Sequence, residues 1–319
     1  MAEPLRIAVL DDYQGIADTV DWSPIPRPPH VTALREHIAP GPALIETLAG
    51  YEVVVAMRER TPLDAALLAQ LPALKLLVTT GPFNAAIDVA AAHRLGITVS
   101  GTGGAITPTV EHTWALILGL QRHLVVEDQR IRDGLWQSTI GSDLHGATLG
   151  LVGVGRIGSR VAAIGSAFGM NVIAWSPHLT EERAALAGVV RVEREALFSD
   201  ADVVSLHLVL AESTRGLVGA AELEAMKPSA ILVNTSRGGL VDEDALVEAL
   251  RGNKIRGAAL DVYHHEPLPA GHPLASLPNT LLTPHLGYVT ETVMSIFYRD
   301  IVADIAAYCA GSPVRLIAG

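Results

Sequence analysis

Short runs of β-branched and other apolar residues alternate along the chain with longer stretches rich in Ala and Leu. Strand candidates are Arg6–Leu10, Glu52–Val55, Leu74–Thr79, Thr98–Ser100, Thr148–Val152, Asn171–Trp175, Val203–Leu206, Ala230–Asn234, Gly257–Leu260 and Thr280–Thr283. Between most of them lie segments such as Thr61–Leu71, Ile157–Phe168, Ala220–Met226 and Asp242–Leu250. These carry apolar residues at i, i+3 and i+4, the spacing of a helix that covers one face of a sheet. Strands that are apolar almost throughout and separated by helices are parallel strands buried on both faces. The pattern therefore predicts an α/β protein with two doubly wound parallel sheets. A glycine-rich break, Gly101-Thr102-Gly103-Gly104, precedes the strongly apolar helix Thr109–Leu120, and a polar interlude runs from Arg130 to His145. Val289–Ala310 reads as a long amphipathic helix, and the proline cluster Pro24 to Pro29 reads as a surface loop.

Composition narrows the function classes. The 319 residues are 49% hydrophobic and 18% charged, a globular balance with room for two cores. A net charge of −11 argues against a nucleic-acid partner, which needs a basic face to neutralise phosphates. No apolar run approaches the ~20 residues of a membrane-spanning helix, and the opening MAEPLRIAVLDD lacks the basic-then-apolar pattern of a secretion signal. Cys309, the one cysteine, cannot form an intrachain disulfide. The expectation is a soluble cytoplasmic protein.

The first chemical signal is Thr148-Leu149-Gly150-Leu151-Val152 followed by Gly153-Val154-Gly155-Arg156-Ile157-Gly158. A strand ending in G-x-G-x-x-G at the start of a helix binds a pyrophosphate. The glycines permit a tight turn and close backbone approach, and the amides at the helix N-terminus meet the anion. An NAD site usually places an acid at the end of the second strand, to accept from the ribose hydroxyl. Here that stretch is Trp175-Ser176-Pro177-His178, with neither an acid nor an arginine immediately there. The choice between NAD and NADP stays open.

Three polar residues follow strand-like runs in the second half: Arg237 in VNTSRGG, Glu266 in DVYHHEP and His285 in TPHLG. Ligands of open parallel sheets bind at the carboxyl ends of the strands, so the three can converge. An imidazole exchanges a proton near neutrality, a carboxylate beside it fixes its tautomer, and a guanidinium holds a carboxylate through two parallel hydrogen bonds. Each residue alone is ordinary, since a histidine after a proline is more often a loop residue than a catalyst. Together, on successive strands behind a phosphate cradle, they point to chemistry.

Through these motifs the chain resembles the D-isomer-specific 2-hydroxyacid dehydrogenases over nearly its whole length. The matching text is GVGRIG at 153–158, LVNTSRGGLVDEDAL at 232–246, ALDVYHHEPLP at 259–269 and TPHLGYVT at 283–290. The resemblance implies two Rossmann-like domains, with the cofactor domain, 105–287, inserted into a discontinuous substrate domain, 1–104 and 288–319. It implies hydride transfer between NAD or NADP and a small 2-oxo or D-2-hydroxy acid. His285 would be the general acid/base, Glu266 its support and Arg237 the group on substrate carboxylate and carbonyl. Cofactor contacts would fall on Gly153, Gly155, Arg156, Ile157, Gly158, Ser176, His207, Thr214, Thr235, Ser236, Asp261 and Gly287. Substrate contacts would fall on Arg58, Gly81 and Pro82, the last two in a loop whose amides hold the substrate carboxylate. Glu266 stands where formate dehydrogenases have glutamine, which argues against formate.

The family's activity needs no metal, and the adjacent His264 and His265 lack metal-ligand spacing. The family usually dimerises through its cofactor domains, so a homodimer is expected; the surplus apolar residues of Thr109–Leu120 point the same way. A competing reading is a dinucleotide-sensing binding protein similar to the corepressors of the same superfamily, which can retain all three polar residues. A hydrolase built on Cys309 would place its nucleophile in the terminal helix, far from the motifs.

Overall fold

Two all-parallel sheets organise the chain, which is seen in a computed structural model describing residues 3–318. The chain forms two compact units, residues 1–105 with 290–319 and residues 106–289.

The first unit holds five strands, β1 (Leu5–Val9), β2 (Pro29–Ala33), β3 (Val53–Ala56), β4 (Leu76–Thr79) and β5 (Thr98–Gly101), in the order β2-β1-β3-β4-β5. Inner strands β3 and β4 are buried at every position, as a parallel sheet covered on both faces requires. The proline cluster is not entirely a loop, because Pro29 opens β2 opposite Leu5. Proline has no N–H for the ladder, so it is tolerated there at the start of an edge strand. The helix Glu291–Cys309 belongs to this unit and buries Val293, Met294, Phe297, Ile301 and Ile305. Its Tyr298 hydroxyl donates to Asp12 Oδ1 at 2.8 Å. The chain after it pairs back along β5 through the bridge between Ser100 and Leu316.

The second unit has seven strands: β6 (Thr148–Val152), β7 (Asn171–Trp175), β8 (Val190–Arg191), β9 (Val203–Leu206), β10 (Ile231–Asn234), β11 (Gly257–Leu260) and β12 (Thr280–Leu282). Their order is β12-β11-β10-β9-β6-β7-β8. The chain reverses direction across the sheet between β6 and β9, and ligands of doubly wound folds bind at such a reversal, outside the strand carboxyl ends. The period of two decides which residues make which core. Val204, Leu206, Leu232, Ala258 and Leu260 pack on one face, whereas Val203, Ile231, Val233 and Ala259 pack on the other. The edge strand β8 has only two residues, too short for any periodic signal.

The apolar helix spans Thr107–Gln121 and buries Val110, Trp114, Leu116 and Ile117 within its own unit, over β10, β11 and β12. Its apolar surplus is therefore accounted for internally. The exposed apolar surface lies just beyond it. Helix Leu124–Arg132, within and before the expected polar interlude, buries none of its residues. Leu124, Val125, Val126, Ile131, Leu135, Trp136 and Ile140 all stand in solvent, Ile140 at 93% exposure. Among the described residues no helix is long and apolar enough to cross a membrane.

One buried charge makes the first unit's stability depend on pH. Asp304 is completely buried on the terminal helix, with Arg315 Nη2 2.9 Å from its Oδ1. Burial pushes its carboxyl up to about 6, against the pull of Arg315 and with the help of Asp300. A carboxyl titrating higher in the folded than in the unfolded chain, where it sits near ~3.9, stabilises the fold in its protonated form. That contribution is complete below about 4 and is lost as pH rises through the folded value. Between about pH 5 and about pH 8, the urea midpoint of the wild type should therefore fall relative to that of Asp304→Asn. Parallel midpoints for the two proteins would show that Asp304 does not titrate in this range.

Candidate functional site

The glycine turn lies where β6 ends. Gly153 adopts φ +103°, and its N–H donates to Trp175 O at 2.9 Å, holding the turn against the end of β7. A Cβ on Gly153 would lie 2.8 Å from His207 O, and one on Gly158 would lie 2.3 Å from Gly153 O. Both positions therefore need glycine for packing within the chain. Gly155 differs: a Cβ there would meet nothing within 4 Å. The space over Gly155 is open, which is what close approach of a pyrophosphate requires. Helix Gly158–Ala167 starts directly behind it, with no side chain capping its N-terminus.

His207 adds a second fit to a dinucleotide. It follows β9, its N–H donates to Val152 O, and its Nε2 lies 2.9 Å from Ser205 Oγ. Its Nδ1 is sealed from solvent without a hydrogen-bond partner. Burial pushes the imidazole down to about 4, so it is neutral near pH 7. A buried unpaired nitrogen costs about 1–3 kcal/mol, which a polar ligand atom beside it would offset. The cradle and this nitrogen both fit a bound nicotinamide dinucleotide.

The remaining cofactor candidates divide by what their side chains already do. Arg156 is exposed at the turn, while Ile157 packs into the core below it. Ser176 is half-buried just past β7, and its carbonyl accepts from Leu179 N. The Thr214 hydroxyl is engaged within its own turn, donating to Val209 O. Thr235 pairs with Thr113 at 2.8 Å, and Ser236 donates to Leu206 O. These hydroxyls brace the loops at the carboxyl edge of the sheet.

Arg237, Glu266 and His285 follow the adjacent strands β10, β11 and β12. Glu266 Oε2 lies 2.7 Å from His285 Nδ1, and Glu266 Oε1 accepts from Tyr263 N at 3.0 Å. A carboxylate only accepts, so Nδ1 carries hydrogen and Nε2 is left to exchange a proton with a ligand. The His285 side chain is 15% exposed and meets the Tyr288 ring edge-on at 5.5 Å. Arg237 is half-buried, its Nη1 donating to Ser236 O. The next residue, Gly238, packs so closely on the Tyr263 backbone that a Cβ would lie 2.1 Å from it. The Arg237 turn thus sits directly against the loop that carries Glu266.

Asp261, expected to face the cofactor, is 1% exposed and has four donors within the chain. Its Oδ1 accepts from Leu286 N at 2.7 Å, Thr283 Oγ1 at 2.5 Å and His112 Nε2 at 3.2 Å; Oδ2 accepts from Gly287 N at 2.8 Å. Burial alone pushes this carboxyl up, but the donors His112, Thr283 and Leu286 together outweigh it and hold it below the usual carboxylate range. Asp261 is a buried anion that fixes the turn of His285. Neither Thr283 nor His112 is among the residues singled out from the sequence. The one available hint was a histidine within the apolar run Thr109–Leu120.

In the first unit, Arg58 stands after β3 with φ +53°. Its N–H donates to Thr80 Oγ1, its carbonyl accepts from Asn84, and its guanidinium lies over Gly81, where a Cβ would be 1.9 Å from Nη1. The turn at Gly81 and Pro82 is tied into its own unit. The Gly81 N–H is donated to Thr102 Oγ1 at 2.8 Å, and Pro82 has none. The cation that covers this turn is Arg58. Cys309 is no activated nucleophile, because burial pushes its thiol up.

Comparison with known proteins follows the same lines. Residues 114–287 match the family model described as D-isomer specific 2-hydroxyacid dehydrogenase, NAD binding domain. A glyoxylate reductase of Aeropyrum pernix is 44% identical over 266 residues, 80% of this chain and 79% of that one. A D-3-phosphoglycerate dehydrogenase of Archaeoglobus fulgidus is 37% identical over 275 residues, 85% of this chain but 52% of its own length. The crystal structure of a phosphoglycerate oxidoreductase from Vibrio cholerae superposes with a TM-score of 0.91 at 38% identity, covering 97% of this chain and all of that one. Family model, relatives and fold agree: the chain belongs to the D-isomer specific 2-hydroxyacid dehydrogenases.

Proposed function

We propose that the protein reduces a small 2-oxo acid to the D-2-hydroxy acid with NADH or NADPH, or runs the reverse oxidation. In this reading residues 106–289 hold the cofactor and the other unit is the substrate domain. The observation that carries it is the 2.7 Å contact between Glu266 and His285 at the carboxyl edge of the sheet that also bears the glycine turn. A bound reduced nicotinamide supplies the hydride that reaches C2 of the acid.

The chain's own groups handle the proton and the charge. Negative charge develops on the carbonyl oxygen as C2 is reduced, and His285 Nε2 delivers a proton to it. Glu266 stabilises the positive charge the ring holds before transfer and keeps Nδ1 as the fixed N–H. Arg237 takes the substrate carboxylate through paired hydrogen bonds and polarises the carbonyl. Within the first unit, Arg58 and the turn at Gly81 and Pro82 are assigned to the substrate. Glycines 153, 155 and 158 and His207 are assigned to the dinucleotide.

A panel of 2-oxo acids crossed with NADH and NADPH, followed at the reduced-nicotinamide absorbance, tests this reading. We expect turnover with at least one acid, and a loss of about 10²- to 10⁴-fold in kcat/KM for His285→Ala with cofactor affinity retained. Failure of every acid despite tight cofactor binding would favour a dinucleotide sensor, and near-normal turnover by His285→Ala would remove the histidine from the mechanism.

The protein is proposed to act as a cytoplasmic homodimer whose contact includes residues 124–140. Exposed apolar surface of this extent marks a partner face, and it lies on the unit that carries the cofactor site. Light scattering should give twice the chain mass of 33.6 kDa, and Trp136→Asp with Ile140→Asp should shift the protein toward the monomer. A monomeric wild type would overturn the assignment.

A further inference from the structure

His285 sits in a backbone conformation that its residue type disfavours. Its φ is +53°, in the left-handed region, which a residue with a side chain adopts only where its surroundings hold it there. The imposing groups come from the segment after β11 and from helix Thr107–Gln121. Asp261 receives the amides of Leu286 and Gly287, the two residues after His285. Thr109 Oγ1 donates to Gly287 O at 3.0 Å, and Tyr263 donates to Thr283 O at 3.0 Å. The turn is thus pinned on both sides of the imidazole, and the buried Asp261 carboxylate is the hub.

That hub has one donor from outside the sheet edge. His112 reaches across from helix Thr107–Gln121 and places Nε2 3.2 Å from Asp261 Oδ1 and 3.0 Å from Thr283 Oγ1. Its protonation at this nitrogen is decided by its neighbours. The Thr283 hydroxyl hydrogen lies on Asp261 at 2.5 Å, so the Thr283 oxygen can only accept from His112. The carboxylate likewise only accepts. Nε2 must therefore carry a hydrogen, shared between the two oxygens.

We propose that His112 is a positioning residue for the reaction: its Nε2–H holds the Asp261–Thr283 pair so that the 283–287 turn keeps the His285 ring on Glu266. The proposal rests on the functional reading given above. It is distinct from a merely structural role for a half-buried histidine, because it concerns a single N–H at one position rather than the volume of the ring. Without that N–H, Asp261 Oδ1 loses a charge-assisted bond, the Thr283 hydroxyl is free to turn, and the imidazole two residues on moves relative to substrate. Displacing a reacting group by about an ångström costs roughly 10²-fold in rate while leaving ground-state binding nearly intact.

The test compares three variants of the full-length protein. His112→Phe keeps the ring but has no donor; His112→Gln places an amide N–H near the position of Nε2; the shorter amide of His112→Asn does not reach. We expect His112→Phe and His112→Asn to lower kcat about 10- to 100-fold with KM for the 2-oxo acid little changed. His112→Gln should recover most of the loss. Hydrogen exchange at the Leu286 and Gly287 amides should quicken in the Phe and Asn variants and return toward wild type in Gln. Wild-type kcat and exchange in His112→Phe would overturn the proposal, as would equal losses in all three variants. If His112→Phe does not fold, the Gln–Asn pair makes the same comparison. Should the wild type turn over no 2-oxo acid, the functional reading falls, while the amide exchange rates still decide whether His112 holds the turn.

Discussion

The contact between Glu266 and His285 depends on a carboxylate that touches neither. Asp261 is buried at the end of β11, and burying an anion is tolerable only when enough hydrogen-bond donors surround it. Here two of those donors are the backbone amides that follow His285, so the same bonds that keep Asp261 ionised also dictate the path of the chain past the imidazole. Removing that anion would leave the Leu286 and Gly287 amides unpaired and the left-handed residue unsupported. The Glu266–His285 contact at the sheet edge is thus held by a second polar layer beneath it.

The parallel sheet explains why these groups are neighbours at all. Every crossover returns the chain to the same edge, so the residues after β10, β11 and β12 emerge side by side although they are separated in sequence, Glu266 and His285 by 19 positions. The glycine turn after β6 and the half-buried His207 after β9 occupy the same edge on the other side of β10. A dinucleotide laid along that edge would meet open space at Gly155 and an unpaired nitrogen at His207. Ligand fit and backbone topology point to the same stretch of surface.

Much of this was legible in the residues, and the failures have physical causes. Central strands such as Val203–Leu206 and Ile231–Asn234 are buried throughout and mostly apolar because both faces are covered, a pattern readable without coordinates. Pro29–Ala33 and Val190–Arg191 sit at sheet edges, where one begins with a proline and the other is too short to show a period. The surplus apolarity of Thr109–Leu120 suggests a partner face, but it is absorbed by three strands of its own unit, and the exposed surface lies in residues 124–140. Glycine spacing and the residues after strands carry local signals; hydrogen-bond partners do not. Nothing in the text pairs His112 with Asp261, 149 positions away, or Gly81 with the Thr102 hydroxyl that takes up its N–H.

The central claim is that the carboxylate and the imidazole act as one unit, and a double-mutant cycle on the rate of a single hydride transfer measures this directly. If Glu266 works only through His285, Glu266→Gln slows the wild type by roughly tenfold or more but changes little in the His285→Ala background. If the two losses multiply instead, each residue has a separate task, and the paired proton relay described here is wrong.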